Sequence, residues 1–168
     1  EGAARQLVDN RNLLVVADIL TFNKGFAQAK PEIVEKIVEG MLVHNDKIRA
    51  NPEPHLKTIA DAFKAYEWTV EDAREELAKV HLSNLPENLA FFEGTIDAAG
   101  SFQGIFQSSV LAYGAMIKNA ADPARFVDLT HLRALAKLPE FANQTIAIAP
   151  IRTSTGVALE GDALLSKD

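Results

Sequence analysis

From Pro31 onward, apolar residues recur at helical spacing. Ile33, Val34, Ile37, Val38, Met41, Leu42 and Ile48 keep to one face, with Glu35, Lys36, Glu39 and Lys47 opposite. Pro31 suits the first turn of a helix, where its missing N–H would have no partner anyway. Glu32 follows at the positive end of the helix dipole. The stop lies at Asn51-Pro52, because a proline drives the residue before it out of helical geometry. Upstream, residues 12–23 ("NLLVVADILTFN") form a near-continuous apolar run whose only charge is Asp18. Such a run fits a strand buried on both faces, although pattern alone leaves a buried helical segment open.

Downstream the pattern stays helical. Residues 54–65 place Leu56, Ile59, Ala60 and Phe63 on one stripe. "WTVEDAREELAKV" opens with Thr69 and, three residues on, Asp72, a capping box ahead of Val70, Ala73, Leu77 and Val80. "HLSNLPENLAFFEG" is expected to be a connector ending in a helical turn. Residues 101–120 predict a longer helix capped by Ser101, with Phe102, Ile105, Val110, Tyr113 and Ile117 inward. Gly104 and Gly114 weaken it, by about 1 kcal/mol each if interior, and suggest close packing against a neighbour. A proline-initiated turn at residues 122–126 leads to a short helix over about 130–137. Beyond it, residues 146–151 and 156–159 are β-prone runs around "RTST". The expected fold class is thus α/β and helix-rich: one early buried strand, five or six helices and a β-prone tail. One buried strand needs hydrogen-bonding partners on both edges. The expectation is therefore an incomplete domain, completed by further sequence or by a swapped second copy.

Composition narrows the class without naming it. The 168 residues suit one domain or a large part of a bigger one, and 48% apolar with 24% charged residues is ordinary for a globular chain. The net charge is −6 with scattered Lys and Arg, so no basic stripe marks a nucleic-acid partner. No apolar run reaches the length of a membrane span. The absence of cysteine excludes disulfides and thiolate catalysis, and it suits cytosol and periplasm alike. The opening "EGAARQLVDN" has neither an initiator Met nor a signal-peptide pattern, which is read as a processed or truncated boundary.

Candidate chemistry is sparse. His44, His55, His81 and His131 show no i, i+4 metal spacing and read as structural or solvated. The glycine-rich stretch at residues 93–104 precedes a helix start, where backbone N–H groups and the dipole can meet an oxyanion. Its glycines fit neither a dinucleotide fingerprint nor a phosphate loop. Thr95, Gly100 and Ser101 are nonetheless the candidate ligand-binding residues, against the plainer reading of a polar loop with a serine cap. Arg152 with its following hydroxyls reads as a turn, Ser108 and Ser109 as a small packing face, Tyr66 and Trp68 as loop packing. Glu75 and Glu76 form a solvated pair. No catalytic residue, metal ligand or cofactor is indicated.

Phe22, Phe26, Pro31, Glu32, Asn51 and Pro52 carry a family resemblance. In their order and spacing, "ADILTFNKGFAQAKPEIVEKIVEGMLVHNDKIRANPE" resembles the second half of periplasmic solute-binding proteins of ABC transporters, of the sulfonate, taurine and nitrate group. "FVDLTHLRAL", with Asp128 and Leu132, resembles their closing helix. The likeness covers roughly residues 7–138. It implies an incomplete two-lobed type II periplasmic binding fold in residues 1–140: the end of lobe two, a crossover and the last helices of lobe one. Residues 141–168 would be a tail towards a downstream domain, similar to the lead-in of outer-membrane-protein-A-like, peptidoglycan-binding domains. The implied function is capture of a small, anionic solute by hinge closure for an ABC permease, in the periplasm and without catalysis. Two alternatives stand beside it. One is a thiamine-precursor-synthase-like enzyme of the same fold; the other is a self-sufficient helical interaction module.

Overall fold

The computed structural model describes residues 17–95, 100–114, 116 and 119–147. Among them the structure is helical and contains no strand. Seven α-helices follow one another: α1 Lys24–Ala29, α2 Pro31–Ala50, α3 Glu53–Ala62, α4 Val70–Leu77, α5 Leu85–Glu93, α6 Phe102–Ala112 and α7 Thr130–Leu135. Single 3-10 turns stand at Lys64–Tyr66 and Pro123–Phe126.

This corrects the expected α/β class and, with it, the incomplete two-lobed fold. Residues 17–23 carry no regular secondary structure, no strand pairs with them among the described residues, and Ile19 and Leu20 stay about half exposed. The apolar run argued for a buried strand by composition, yet a strand exists only where neighbouring backbone completes its hydrogen bonds. The described residues supply no such backbone. Residues 12–16 of that run lie outside the described residues.

The helices start where their capping chemistry says. The Asn23 side chain accepts the Phe26 N–H and opens α1. Pro31 opens α2, and Asn51-Pro52 ends it. At α4 the box is complete: Asp72 N–H donates to Thr69 Oγ1, and Thr69 N–H donates back to Asp72 at 2.7 Å. α3 and α4 form a hairpin around Leu56, Ala60 and the fully buried Ala73, flanked by Ile59, Trp68 and Leu77. Phe63 stacks on Trp68 at 4.3 Å between centroids. Arg74 bridges the hairpin with two bonds to Glu53.

A second cluster lies between α2, α5 and α7. Leu42, Leu85, Leu135 and Phe141 are buried there, with Val38, Leu89 and Leu132 packed around them. Phe141 therefore joins the same core as the helices before it. Two elements differ from expectation. The supposed connector holds α5, a nine-residue helix with its own capping box, Asn84 and Glu87. The helix expected over residues 101–120 ends at Ala112, with Tyr113 as its cap. Gly114 lies just past that end, where an added Cβ would stand 3.0 Å from the Val110 carbonyl oxygen. Its close approach is to its own helix, not to a neighbour. Ile117 lies outside the described residues, as does the β-prone tail beyond residue 147.

Candidate functional site

The expected ligand residues fall at the join of α5 and α6. Gly94 ends α5 with φ +75°, the left-handed region that favours glycine. Thr95 follows, exposed, its N–H donating to the Ala90 carbonyl at 3.0 Å. Gly100 is buried. Ser101 is buried too, and its Oγ accepts the Gly104 N–H at 3.1 Å, capping α6. A Cβ on Gly94 would lie 3.9 Å from Ser101, so the two ends of this loop meet. The hydroxyl thus serves the start of a helix, the plainer of the two readings.

Next to that cap opens a cleft of about 430 Å³ between α5, α6, the Pro123–Phe126 turn and α7. Phe92 and Phe102 wall one side; Asp122, Asp128, Thr130 and Arg133 supply the polar groups. Thr95, Gly100 and Ser101 are not in its lining. The cleft is poorly suited to a small anion. Its arginine already pairs with Glu93 at 2.8 Å, and two carboxylates share the lining. Asp122 accepts the Ala124 N–H. Asp128 accepts from Thr130, and those side-chain and backbone hydrogen bonds hold its carboxyl below the ordinary aspartate range.

The four histidines stand apart. The His44 ring meets the Gly40 carbonyl at 3.0 Å, His131 lies 3.4 Å from Glu35, and His81 bonds to Glu87. No group of three acidic or histidine side chains that could hold a metal occurs among the described residues.

The most constrained polar group is one that sequence reading passed over. Glu87 on α5 is 1% exposed. Its Oε2 accepts the Asn84 N–H at 2.9 Å and His81 Nε2 at 2.8 Å, with Arg49 of α2 at 3.8 Å. Its Oε1 accepts the Ala147 N–H at 2.7 Å. Because a carboxylate only accepts, His81 carries its proton on Nε2 here. Burial alone would raise the Glu87 pKa, but the hydrogen bonds from Asn84, His81 and Ala147 outweigh it and hold the carboxyl below its ordinary value. Asn84 adds a bond from Nδ2 to the Thr145 carbonyl, and Gln144 reaches Asp46 of α2. The node pins residues 144–147 against α5 and α2. Both carboxylate oxygens are taken up by donors from the chain itself, which marks the node as structural. The "NLPE" capping signature ahead of an apolar run was the signal for it.

The remaining candidate is a surface. α2 was expected to bury one apolar face, but that face is split. Val34 and Leu42 are buried, whereas Ile33 is 41%, Ile37 39% and Met41 47% exposed. Phe26 of α1 is exposed nearby in the chain, as are Ile19 and Leu20. The apolar arc of α2 is broader than what α5 and α7 cover.

Among the described residues, no helix is long and apolar enough to cross a membrane. No protein-family model, curated protein or solved structure matches this chain.

Proposed function

We propose that this chain is a non-enzymatic helical interaction module that offers the outer face of α2 to another polypeptide. The observation that carries the reading is the row Ile33, Ile37 and Met41, exposed at one-turn intervals on a twenty-residue helix. The described residues bury two apolar clusters without this row. Aligned apolar side chains left over once a core is made are what helix-in-groove and helix-pair contacts use.

The test places a photoreactive phenylalanine analogue at Ile37 in the full chain, in the cells that make it, with the same probe at Lys57 as control. Lys57 lies on an exposed part of α3. A polypeptide adduct at position 37 that is lacking at position 57 supports the module. Equal labelling at both positions, or none to any polypeptide, overturns it.

Solute capture for an ABC permease rests on the resemblance of residues 7–138, and the open cleft at Phe92 and Phe102 is the feature in its favour. The lining chemistry fits a neutral or cationic small molecule better than a sulfonate or nitrate. Chemical-shift changes confined to Phe102, Asp128 and Thr130 on adding taurine would revive the anion reading. None at millimolar taurine would end it.

A further inference from the structure

We infer that the cleft between α5, α6, the Pro123–Phe126 turn and α7 is a binding site for a small amphipathic organic cation, an ammonium group carried on an apolar body. No residue of α2 lines the cleft, so the inference stands apart from the interaction-module reading. Three features of the lining support it.

The first is the aromatic wall. The Phe92 and Phe102 rings stand 5.5 Å apart between centroids, tilted at 48°, and both are half-buried. Phe91 meets them at steep angles, 78° and 67°, and Phe106 packs on Phe102 at 6.2 Å. Phe91 and Phe106 do not line the cleft, so they brace the wall from outside it. Ring faces attract cations as well as apolar groups. The volume, about 430 Å³, lies within the range of small-molecule sites, roughly 300–1,000 Å³.

The second is negative charge that the chain does not balance. Arg133, the only cationic side chain of the lining, is held by Glu93 at 2.8 Å. Asp122 and Asp128 have no Lys or Arg partner among the described residues. Each is fixed in place by a backbone N–H that its Oδ1 accepts at 2.9 Å, from Ala124 and Thr130 respectively. A carboxylate offers about four acceptor sites, so both keep capacity for a charged donor. The side-chain and backbone bonds from Thr130 also keep Asp128 ionised, its carboxyl held below the ordinary aspartate range.

The third is how these groups divide between protein and water. Phe92, Phe102, Val127 and Leu129 are half-buried, whereas Asp122, Asp128 and Thr130 are exposed. An apolar body against the rings would leave water while its ammonium kept the carboxylates and solvent. A bare metal ion has less to use, since no metal-holding group of three acidic or histidine side chains occurs among the described residues. An anion would meet two carboxylates and an arginine that is already paired.

The test titrates the full chain at neutral pH with three probes that share one aryl body: 2-phenylethylammonium, 2-phenylethanol and phenylacetate. Amide chemical shifts of Phe92, Phe102, Asp122, Asp128 and Thr130 locate the binding and give its affinity. The ammonium is expected to bind there at least roughly tenfold more tightly than the alcohol, a difference of about 1.4 kcal/mol, and phenylacetate more weakly than either. Asp122→Asn and Asp128→Asn keep the Oδ1 acceptor for the backbone N–H and remove the charge. Each is expected to reduce the ammonium's advantage and to leave the alcohol's affinity unchanged, whereas Phe102→Leu is expected to weaken both probes. Unchanged thermal melting of the asparagine variants separates lost binding from lost folding. Should a variant melt early, the three probes on the wild-type chain still decide. Equal affinity for ammonium and alcohol overturns the inference, and so does phenylacetate binding as tightly as the ammonium. No shift at these amides with the ammonium at millimolar concentration overturns the site itself.

Discussion

The Glu87 carboxylate accepts the backbone N–H of Ala147 at 2.7 Å, across sixty residues of chain. Its other oxygen is shared by Asn84 and His81. One buried side chain thus starts α5 and fastens residues 144–147 to it. Replacing it by glutamine keeps the shape but turns one acceptor into a donor, which then opposes an N–H at short range. Glu87→Gln is expected to cost about 1–3 kcal/mol, the range for leaving a buried hydrogen-bonding group unsatisfied. Urea unfolding measures it. A loss below about 0.5 kcal/mol, the scale of an ordinary surface substitution, would mean the node is not closed in solution.

The same carboxylate sets a pH dependence. Its pKa is lowered in the folded chain, so the folded state binds its proton less readily than the unfolded state. Its contribution is present in full above the unfolded glutamate value and is lost as pH falls through the lower folded value. His81 and Arg49 face the group and Asp46 stands beside Arg49, so the acid limb is expected to differ between wild type and Glu87→Gln. Thermal melts from pH 7 down to pH 3 should converge for the two proteins. Parallel curves over that range would assign the acid limb to other carboxylates.

Asn84 allows the two duties of the node to be separated. Its Oδ1 accepts the Glu87 N–H, while its Nδ2 donates to the Thr145 carbonyl at 2.8 Å. Asn84→Ser keeps an N-cap acceptor and loses the tie to Thr145; Asn84→Ala loses both. The alanine variant is expected to fall below the serine variant by about 1 kcal/mol, the usual value of an N-cap. In both, amide exchange at Ala147 is expected to quicken. Equal stability of the two would mean that the cap contributes nothing measurable to α5.

What could be read from sequence was local chemistry. Thr69 and Asp72 announced a capping box that the structure contains, and Pro31 and Asn51-Pro52 bounded α2 correctly, because such signals act within one helical turn. Burial was harder, since it depends on what the rest of the chain brings. Ile33, Val34, Ile37 and Val38 look alike as a pattern, yet α5 and α7 cover only one side of the arc. The strand failed for the same reason: residues 17–23 have suitable composition, but no strand stands beside them among the described residues. α5 was read only as a connector ending in a helical turn, with Pro86 near its start. At the second helical position, however, proline loses nothing. Ser101 proved to be a helix cap, and the cleft lies one residue further on, at Phe102 and Gln103.

Two glycines are expected to respond in opposite directions to the same substitution. Gly94 holds φ +75°, where an alanine has room, its Cβ no closer than 3.9 Å to Ser101, but pays in backbone strain. Gly94→Ala is expected to destabilise the chain by about 1–2 kcal/mol, the penalty of the left-handed region for a residue with a Cβ. Gly40 sits in the interior of α2 with open space around it. There alanine gains helix propensity and clashes with nothing among the described residues. Gly40→Ala is expected to stabilise the monomer by about 0.5–1 kcal/mol, measured by thermal melting at dilute concentration. A loss at high dilution would mean that α2 bends or packs at this point in solution.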